Sequence, residues 1–192
     1  MPNAAVLRRL VGLLLLATAG CAPWLTAEPA RELAPYVDTP SEVVERMLEL
    51  AGVTEDDVVY DLGSGDGRIV LTAARKYGAR GVGVELDGRL VALAQSYARV
   101  ERLDRLVQFL HQDALTVDLS PATVVTMYLG KEANLLFRPK LWQDLRPGAR
   151  VVSHQFDMGD WPPAQVVRVQ PRIGPERTLY LWRIEAKPAG RR

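Results

Sequence analysis

Cysteine occurs once in the 192 residues, at Cys21. That excludes an intrachain disulfide, a zinc site built of cysteines and a CxxC redox pair. Histidine is almost as scarce, at His111 and His154 only, so no ligand set for a metal is evident and none is expected. Charge of one sign is missing too: 24 basic residues are scattered among 23 acidic ones, for a net charge of +1. Such a balance leaves no electrostatic footprint for nucleic acid, and no nucleic-acid partner is expected. There is no internal repeat and no low-complexity tract. What remains is 48% hydrophobic and 24% charged, a globular composition in a length that suits one domain with a real core.

Residues 1–25 differ from everything after them. Arg8 and Arg9 precede the apolar run LVGLLLLATAG and then Cys21, which together read as a bacterial export signal. ATAGC also resembles a lipoprotein processing site, with Thr18 where such sites usually carry leucine. The stretch from Leu10 to Leu25 is broken by Gly12 and Pro23 and falls short of the roughly 20 residues of a spanning helix, so an anchor is the second reading. An N-terminal helix with no targeting role is the third. The leader thus implies a membrane-associated or exported protein. Arg8 and Arg9 before the run and Glu28 and Glu32 after it favour the domain outside. Residues 26–38, with Pro29 and Pro35, read as a linker, 39–186 as the folded domain and 187–192 as a tail.

The domain opens on TPSE (Thr39 to Glu42), in which threonine is the expected cap, proline the first helical residue and glutamate the third. Val43, Val44, Met47, Leu48 and Ala51 follow at helical spacing, and Gly52 ends the helix. DDVVYDL reads as a strand buried on both faces. GRIVLTAARKYG is helical, with Ile69, Ala73 and Tyr77 inward, and GVGVEL is a second strand. The next helix, GRLVALAQSYARVERL, is expected to face inward through Leu90, Val91, Ala94, Tyr97 and Ala98. VQFLHQDA, ATVVTMYL and RVVSHQF give three more strands. Strands separated by helical stretches imply right-handed crossovers, hence an α/β, doubly wound, mostly parallel sheet. AQVVRVQ and TLYLWRIE flank PRIGPER with no helix between, which predicts an antiparallel hairpin at the C-terminal end.

Asp61-Leu-Gly-Ser-Gly-Asp-Gly carries the first strand into the next helix. Glycines there let a ligand approach backbone N–H groups that a Cβ would shield. Glu85, at the end of the second strand, has the spacing at which an acid accepts hydrogen bonds from ribose hydroxyls. A dinucleotide loop would read G-x-G-x-x-G, yet Arg68 takes the final glycine position. Asp61 and Asp66 flank the same spot and would each cost a pyrophosphate on the order of 1 kcal/mol. S-adenosylmethionine suits them better, because its ammonium and sulfonium are cationic and its small carboxylate can use the loop amides. Asp113-Ala114 offers a polar group for the adenine edge, with a helix cap or loop solvation as the alternative. A nicotinamide-dependent oxidoreductase, a small-molecule methyltransferase and a catalytically silent cofactor-binding module are the alternative functions.

These residues resemble the class I S-adenosylmethionine-dependent methyltransferases, and more narrowly the bacterial relatives of the mitochondrial protein-lysine methyltransferases that modify the ATP synthase c subunit and the adenine nucleotide translocator. PYVDTPSEVVERML, VVYDLGSGDGRIV, VTMYLGKEANLLFRPKL and GARVVSHQFDMGDWPP carry that likeness. It implies a seven-stranded Rossmann-like sheet and an acceptor that is a protein lysine, with a membrane protein as one candidate. Asp61, Gly63, Ser64, Gly65, Glu85, Asp113 and Ala114 are then the expected cofactor contacts, and Tyr36 is expected to close over the ligand. Gly130-Lys131 departs from the apolar residue and proline that relatives tend to have after YL, which leaves the acceptor open.

Ligands of open α/β sheets bind beyond the carboxyl ends of strands. That places Tyr128, His154 and Asp157 on the acceptor side, with Tyr128 the first candidate for a direct role in catalysis. Packing is the alternative for Tyr128, and a hydrogen-bonded place in the core is the first reading of His154. For Trp161, Tyr180 and Trp182 core and hairpin packing is the first reading, with a partner peptide or membrane surface the second. A monomer is expected. Location is the unresolved conflict, since the leader implies export whereas the methyl donor is made in the cytoplasm.

Overall fold

The computed structural model describes residues 33–185; the leader, the start of the linker and the tail lie outside the described residues. Eleven elements follow one another: α1 (Ser41–Ala51), β1 (Val58–Leu62), α2 (Arg68–Tyr77), β2 (Arg80–Glu85), α3 (Gly88–Val100), β3 (Val107–His111), β4 (Val124–Met127), α4 (Lys131–Asp144), β5 (Arg150–His154), β6 (Gln165–Val169) and β7 (Arg177–Arg183). The seven strands form one sheet in the order β3-β2-β1-β4-β5-β7-β6. β1 to β5 are parallel, whereas β7 lies antiparallel to β5 and to β6. The expected mixed sheet and C-terminal hairpin are both present. Among the described residues no helix is long and apolar enough to cross a membrane.

Alternation along the strands sorts their side chains into two cores. Val59, Val124 and Val152 meet α1 and α2 on one face, while Tyr60, Leu62, Val125, Met127 and Val151 meet Phe137 and Leu141 of α4 on the other. Those central strands are buried on both sides, which is why they read as continuous apolar runs. Trp182 is fully buried and donates its indole N–H to the Trp161 carbonyl at 2.9 Å, so this part of the aromatic group serves packing.

Residues 112–123 pass from β3 to β4 through turns. Two details differ from the sequence reading. Tyr97 faces solvent on α3, where only Val91, Ala94 and Ala98 are buried. Thr39 does not cap α1, whose N-cap is Pro40 with no side-chain hydrogen bond. Its hydroxyl is drawn 3.3 Å from Nδ1 of His154 instead, since a buried hydroxyl must find a partner and the ring is at hand.

Candidate active site

A cavity of about 370 Å³ opens beyond the carboxyl ends of β1, β2 and β4, the place where open α/β sheets take ligands. The glycine loop shapes its floor. Gly63, Gly65 and Gly67 all have positive φ, at 72°, 56° and 82°, so the loop turns tightly enough to deliver α2. Tyr36, Asp61, Gly63, Ser64, Gly65, Glu85, Asp113, Ala114 and Tyr128 all line the cavity. His154 and Asp157 are outside that lining.

Asp61, at 3% exposure, is the most deeply placed acid of the group. It accepts a hydrogen bond from Thr126 Oγ1 at 2.7 Å, and no cation pairs with it among the described residues. Burial above all, then the charges of Glu85 and Asp66, push its carboxyl up to about 8 despite the Thr126 bond. Glu85 is fixed by three backbone amides, those of Gly65 (2.8 Å), Leu86 (2.7 Å) and Asp87 (2.9 Å). The acid thereby sets the loop's shape as well as facing the cavity. Asp113 Oδ1 accepts from the Leu115 amide at 2.9 Å, which shapes the turn after β3 and does not cap a helix, and Asp113 keeps its place in the lining.

Two expectations about the loop need correction. Most of its amides are spent within the protein: Gly63 and Ser64 both donate to the Val84 carbonyl, Gly65 to Glu85 and Gly67 to the Ser64 carbonyl. The loop folds onto β2, and few N–H groups remain for a ligand carboxylate. Asp66 is also not a free anion at the cavity, because Arg68 holds it at 2.7 Å. Burial raises the Asp66 carboxyl, and the Arg68 hydrogen bonds and charge outweigh that and hold it below the usual range.

Arg68 ties more than Asp66. Its Nη1 donates to Asp38 Oδ2 at 2.9 Å and to the Thr39 carbonyl at 3.0 Å, and its Nη2 reaches the Tyr36 hydroxyl at 3.3 Å. Residues 33–39, expected to be mostly linker, are thereby a strap along the cavity, with the Tyr36 ring against Gly65.

At the β4 edge of the cavity, Tyr128 follows β4 and lies between two rings: His154 at 3.9 Å and Phe156 at 6.0 Å between centroids. His154 is fully buried. Burial, with a contribution from Arg177, pushes its pKa down to about 4. Asn134 of α4 donates to Ser153 Oγ at 2.8 Å and to the carbonyls of Phe156 and Asp157 at 2.9 and 3.2 Å, bracing the turn after β5. Gly130, with φ of 102°, begins α4 in open space, and Lys131 is exposed beside it.

A cavity rimmed by acids, with one buried carboxylate lacking a cation, suits a cationic ligand and disfavours a phosphate. Comparison with known proteins agrees. The family model for the ANTKMT methyltransferase domain matches residues 61–165, more than half of the sequence. The chain belongs to this family. This methyltransferase is 42% identical over 149 residues to the protein-lysine N-methyltransferase of Saccharolobus islandicus, covering 77% of the chain and 92% of that protein. It is 38% identical over 146 residues to the adenine nucleotide translocase lysine N-methyltransferase of Mus musculus. That match covers 76% of the chain and 63% of the mouse protein, so the chain spans less than two thirds of that relative. Among solved structures, the Salinibacter ruber protein described as an RNA methyltransferase in complex with S-adenosyl-L-homocysteine shows 50% identity and a TM-score of 0.75. The superposition covers 80% of the chain and 97% of that structure. The methyltransferase uses S-adenosylmethionine, and the Rossmann-like fold expected from the resemblance is the one present.

Sequence reasoning missed three parts of the methyltransferase site: the Arg68 clasp, the Thr39–His154 contact and Asn134. Only the last left a signal. Ala133, Asn134, Phe137 and Leu141 share the buried face of α4, and an amide on an apolar stripe marks a position where a backbone needs bracing. Asp66 is a local partner of Arg68, but Tyr36, Asp38 and Thr39 lie about thirty positions away, and nothing local to the loop announces them.

Proposed function

We propose that the chain is a protein-lysine N-methyltransferase, with the cavity holding the methyl donor and the Tyr128 side receiving the lysine. The observation that carries this reading is the buried carboxyl group of Asp61, which has no cation partner among the described residues, in a chain 42% identical to a protein-lysine N-methyltransferase. Asp61 would receive the donor's ammonium group. Glu85, immobilised by its three amides, would present its remaining lone pairs to the ribose hydroxyls, and Asp113 and Ala114 would meet the adenine edge. The Tyr36 ring would cover the ligand from the strap.

Bound there, S-adenosylmethionine supplies a methyl group on positively charged sulfur, a leaving group that needs no further activation. The chain's contribution is then positioning. An acceptor lysine with an ordinary pKa of about 10.4 must lose its proton to attack. Withdrawal from water beside Tyr128 would disfavour the ammonium form, which lowers the cost of that loss. His154 does not take the proton, being fully buried and outside the cavity lining.

The Salinibacter ruber description raises RNA as a second acceptor. Charge argues against it. Arg68 and Arg89 at the cavity are both ion-paired, to Asp66 and Asp38 and to Asp87, and the net charge is +1. A phosphate backbone therefore meets little free positive charge. Incubation with methyl-labelled donor and separate membrane-protein, soluble-protein and bulk RNA fractions tests the proposal. Label in methylated lysine after acid hydrolysis of protein supports it, and label confined to RNA or to small molecules overturns it.

A membrane-protein acceptor and a membrane-associated or exported location are part of the same proposal, supported by the apolar leader of residues 10–25. A reporter active in only one compartment, fused to Arg192, decides the side.

A further inference from the structure

His154 ends β5 with no surface exposed, yet it touches both halves of the site. Toward the acceptor, its ring lies 3.9 Å from that of Tyr128, with the planes tilted by 31°. Toward the donor, its Nδ1 lies 3.3 Å from Thr39 Oγ1. Thr39 is itself buried, and its carbonyl accepts from Arg68, the residue that gathers Tyr36, Asp38 and Asp66. A continuous line of contacts thus runs from the strap to the acceptor tyrosine. The second ring nitrogen, Nε2, is buried without a hydrogen-bond partner among the described residues. An apolar ring would avoid the cost of that orphan, so packing alone does not explain a histidine here. The contact through Nδ1 does.

We propose that His154 is a positioning residue that joins the strap to Tyr128, so that closing the strap over the donor and seating the acceptor wall are one event. This rests on the cavity being the donor site and needs no particular acceptor. The hydroxyl of Thr39 is committed to the junction at the expense of capping α1, where a threonine side chain would otherwise stabilise the helix. Gln155, next to the histidine, takes φ of 70°, a left-handed value unusual for a residue with a side chain. It is held there by paired contacts to Thr178, through its amide at 2.7 Å and its Oε1 at 3.2 Å. The chain is therefore bent and clamped next to the position that aims the ring, and such local strain persists where the surroundings fix it.

Titration of S-adenosylhomocysteine by calorimetry into wild type, H154F, T39V and the double variant tests the junction. H154F keeps an aromatic face for Tyr128 but loses Nδ1, and T39V removes the hydroxyl from the other end. Each is expected to weaken binding about five- to ten-fold, and the double variant no more than either, because all three remove one contact. H154N restores a nitrogen near Nδ1 and is expected to recover the affinity. It leaves Tyr128 with the Phe156 ring alone, so kcat for methyl transfer falls about ten-fold while the donor KM stays at the wild-type value. Unchanged affinity in both single variants, or losses that add in the double, overturns the proposal. If H154F does not fold, T39V against T39S, which keeps the hydroxyl, carries the same comparison. A wild type that binds the product but methylates no lysine would sink the proposed acceptor and leave the binding comparison fully decisive for His154.

Discussion

A Cβ built on Gly65 would stand 2.4 Å from Cε2 of Tyr36, so strap and glycine loop touch where only a hydrogen fits. Gly65 also has a φ of 56°, a region that costs a residue with a side chain roughly 1–2 kcal/mol. G65A is therefore expected to weaken S-adenosylhomocysteine binding by at least about ten-fold, from backbone strain together with displacement of Tyr36. The two causes separate in a cycle. Y36A removes the clash but not the strain, so G65A in a Y36A background is expected to cost less than in the wild type, measured by calorimetry.

Arg68 holds the strap through Asp38 and Tyr36 while its main partner, Asp66, sits in the loop. Asp38 is 64% exposed, whereas Asp66 is 15% exposed, and solvent weakens the first pair more than the second. R68A is expected to speed release of S-adenosylhomocysteine about ten-fold, with D38N giving a smaller effect. Salt provides the control. Raising ionic strength from about 0.1 to about 1 M shortens screening from about 10 to about 3 Å, so release from wild type should accelerate in stopped-flow traces while R68A barely responds. Equal salt dependence in the two proteins would show that the clasp does not govern release.

The sheet and the residues that line the cavity were legible in the sequence because both follow from local patterns. Valine runs in β1, β4 and β5 signal strands buried on two faces, and Asp61 and Glu85 sit at strand ends where the fold must gather them. Tyr97 misled because helical spacing gives a stripe without its width, and α3 buries only a narrow one. Thr39 misled because TPSE satisfies the local capping rule, and only the tertiary structure reveals a competing ring 115 positions away. The leader and the tail lie outside the described residues, so the export reading has not met the structure.

At the opposite end of the sheet, Asp57 draws together three elements without reaching the cavity. Its Oδ1 accepts from Thr123 Oγ1 at 2.7 Å and its Oδ2 from the Thr54 amide at 2.8 Å, and it is ion-paired with Arg150. Burial raises its carboxyl, but the Thr123, Thr54 and Arg150 contacts outweigh that and set it below the usual value of 3.8. D57A leaves the Arg150 cation, at 16% exposure, without its anion, and is expected to cost about 3–5 kcal/mol in denaturant unfolding. Product affinity in the folded variant should stay at the wild-type level. A depressed folded pKa stabilises above the unfolded value and loses that stabilisation as pH falls through the folded one. The gap between wild type and D57N is accordingly expected to narrow below pH 3.8.

Asp61 has the opposite sign. Its folded carboxyl is raised to about 8 from 3.8, so its contribution to stability is complete below 3.8 and disappears as pH rises through about 8. The empty protein thus holds a strained anion at high pH, and a ligand ammonium relieves it. Binding of S-adenosylhomocysteine is expected to strengthen roughly ten- to fifty-fold from pH 6 to pH 8, with proton release visible as heats that differ between buffers of unlike ionisation enthalpy. D61N mimics the neutral acid and keeps an oxygen for the Thr126 bond. It should melt higher than wild type at pH 8 without ligand, bind the product weakly and show no pH slope. A wild-type affinity that is flat over this range would mean that the ammonium goes elsewhere, and Asp61 would then have to be read as a structural acid serving Thr126 alone.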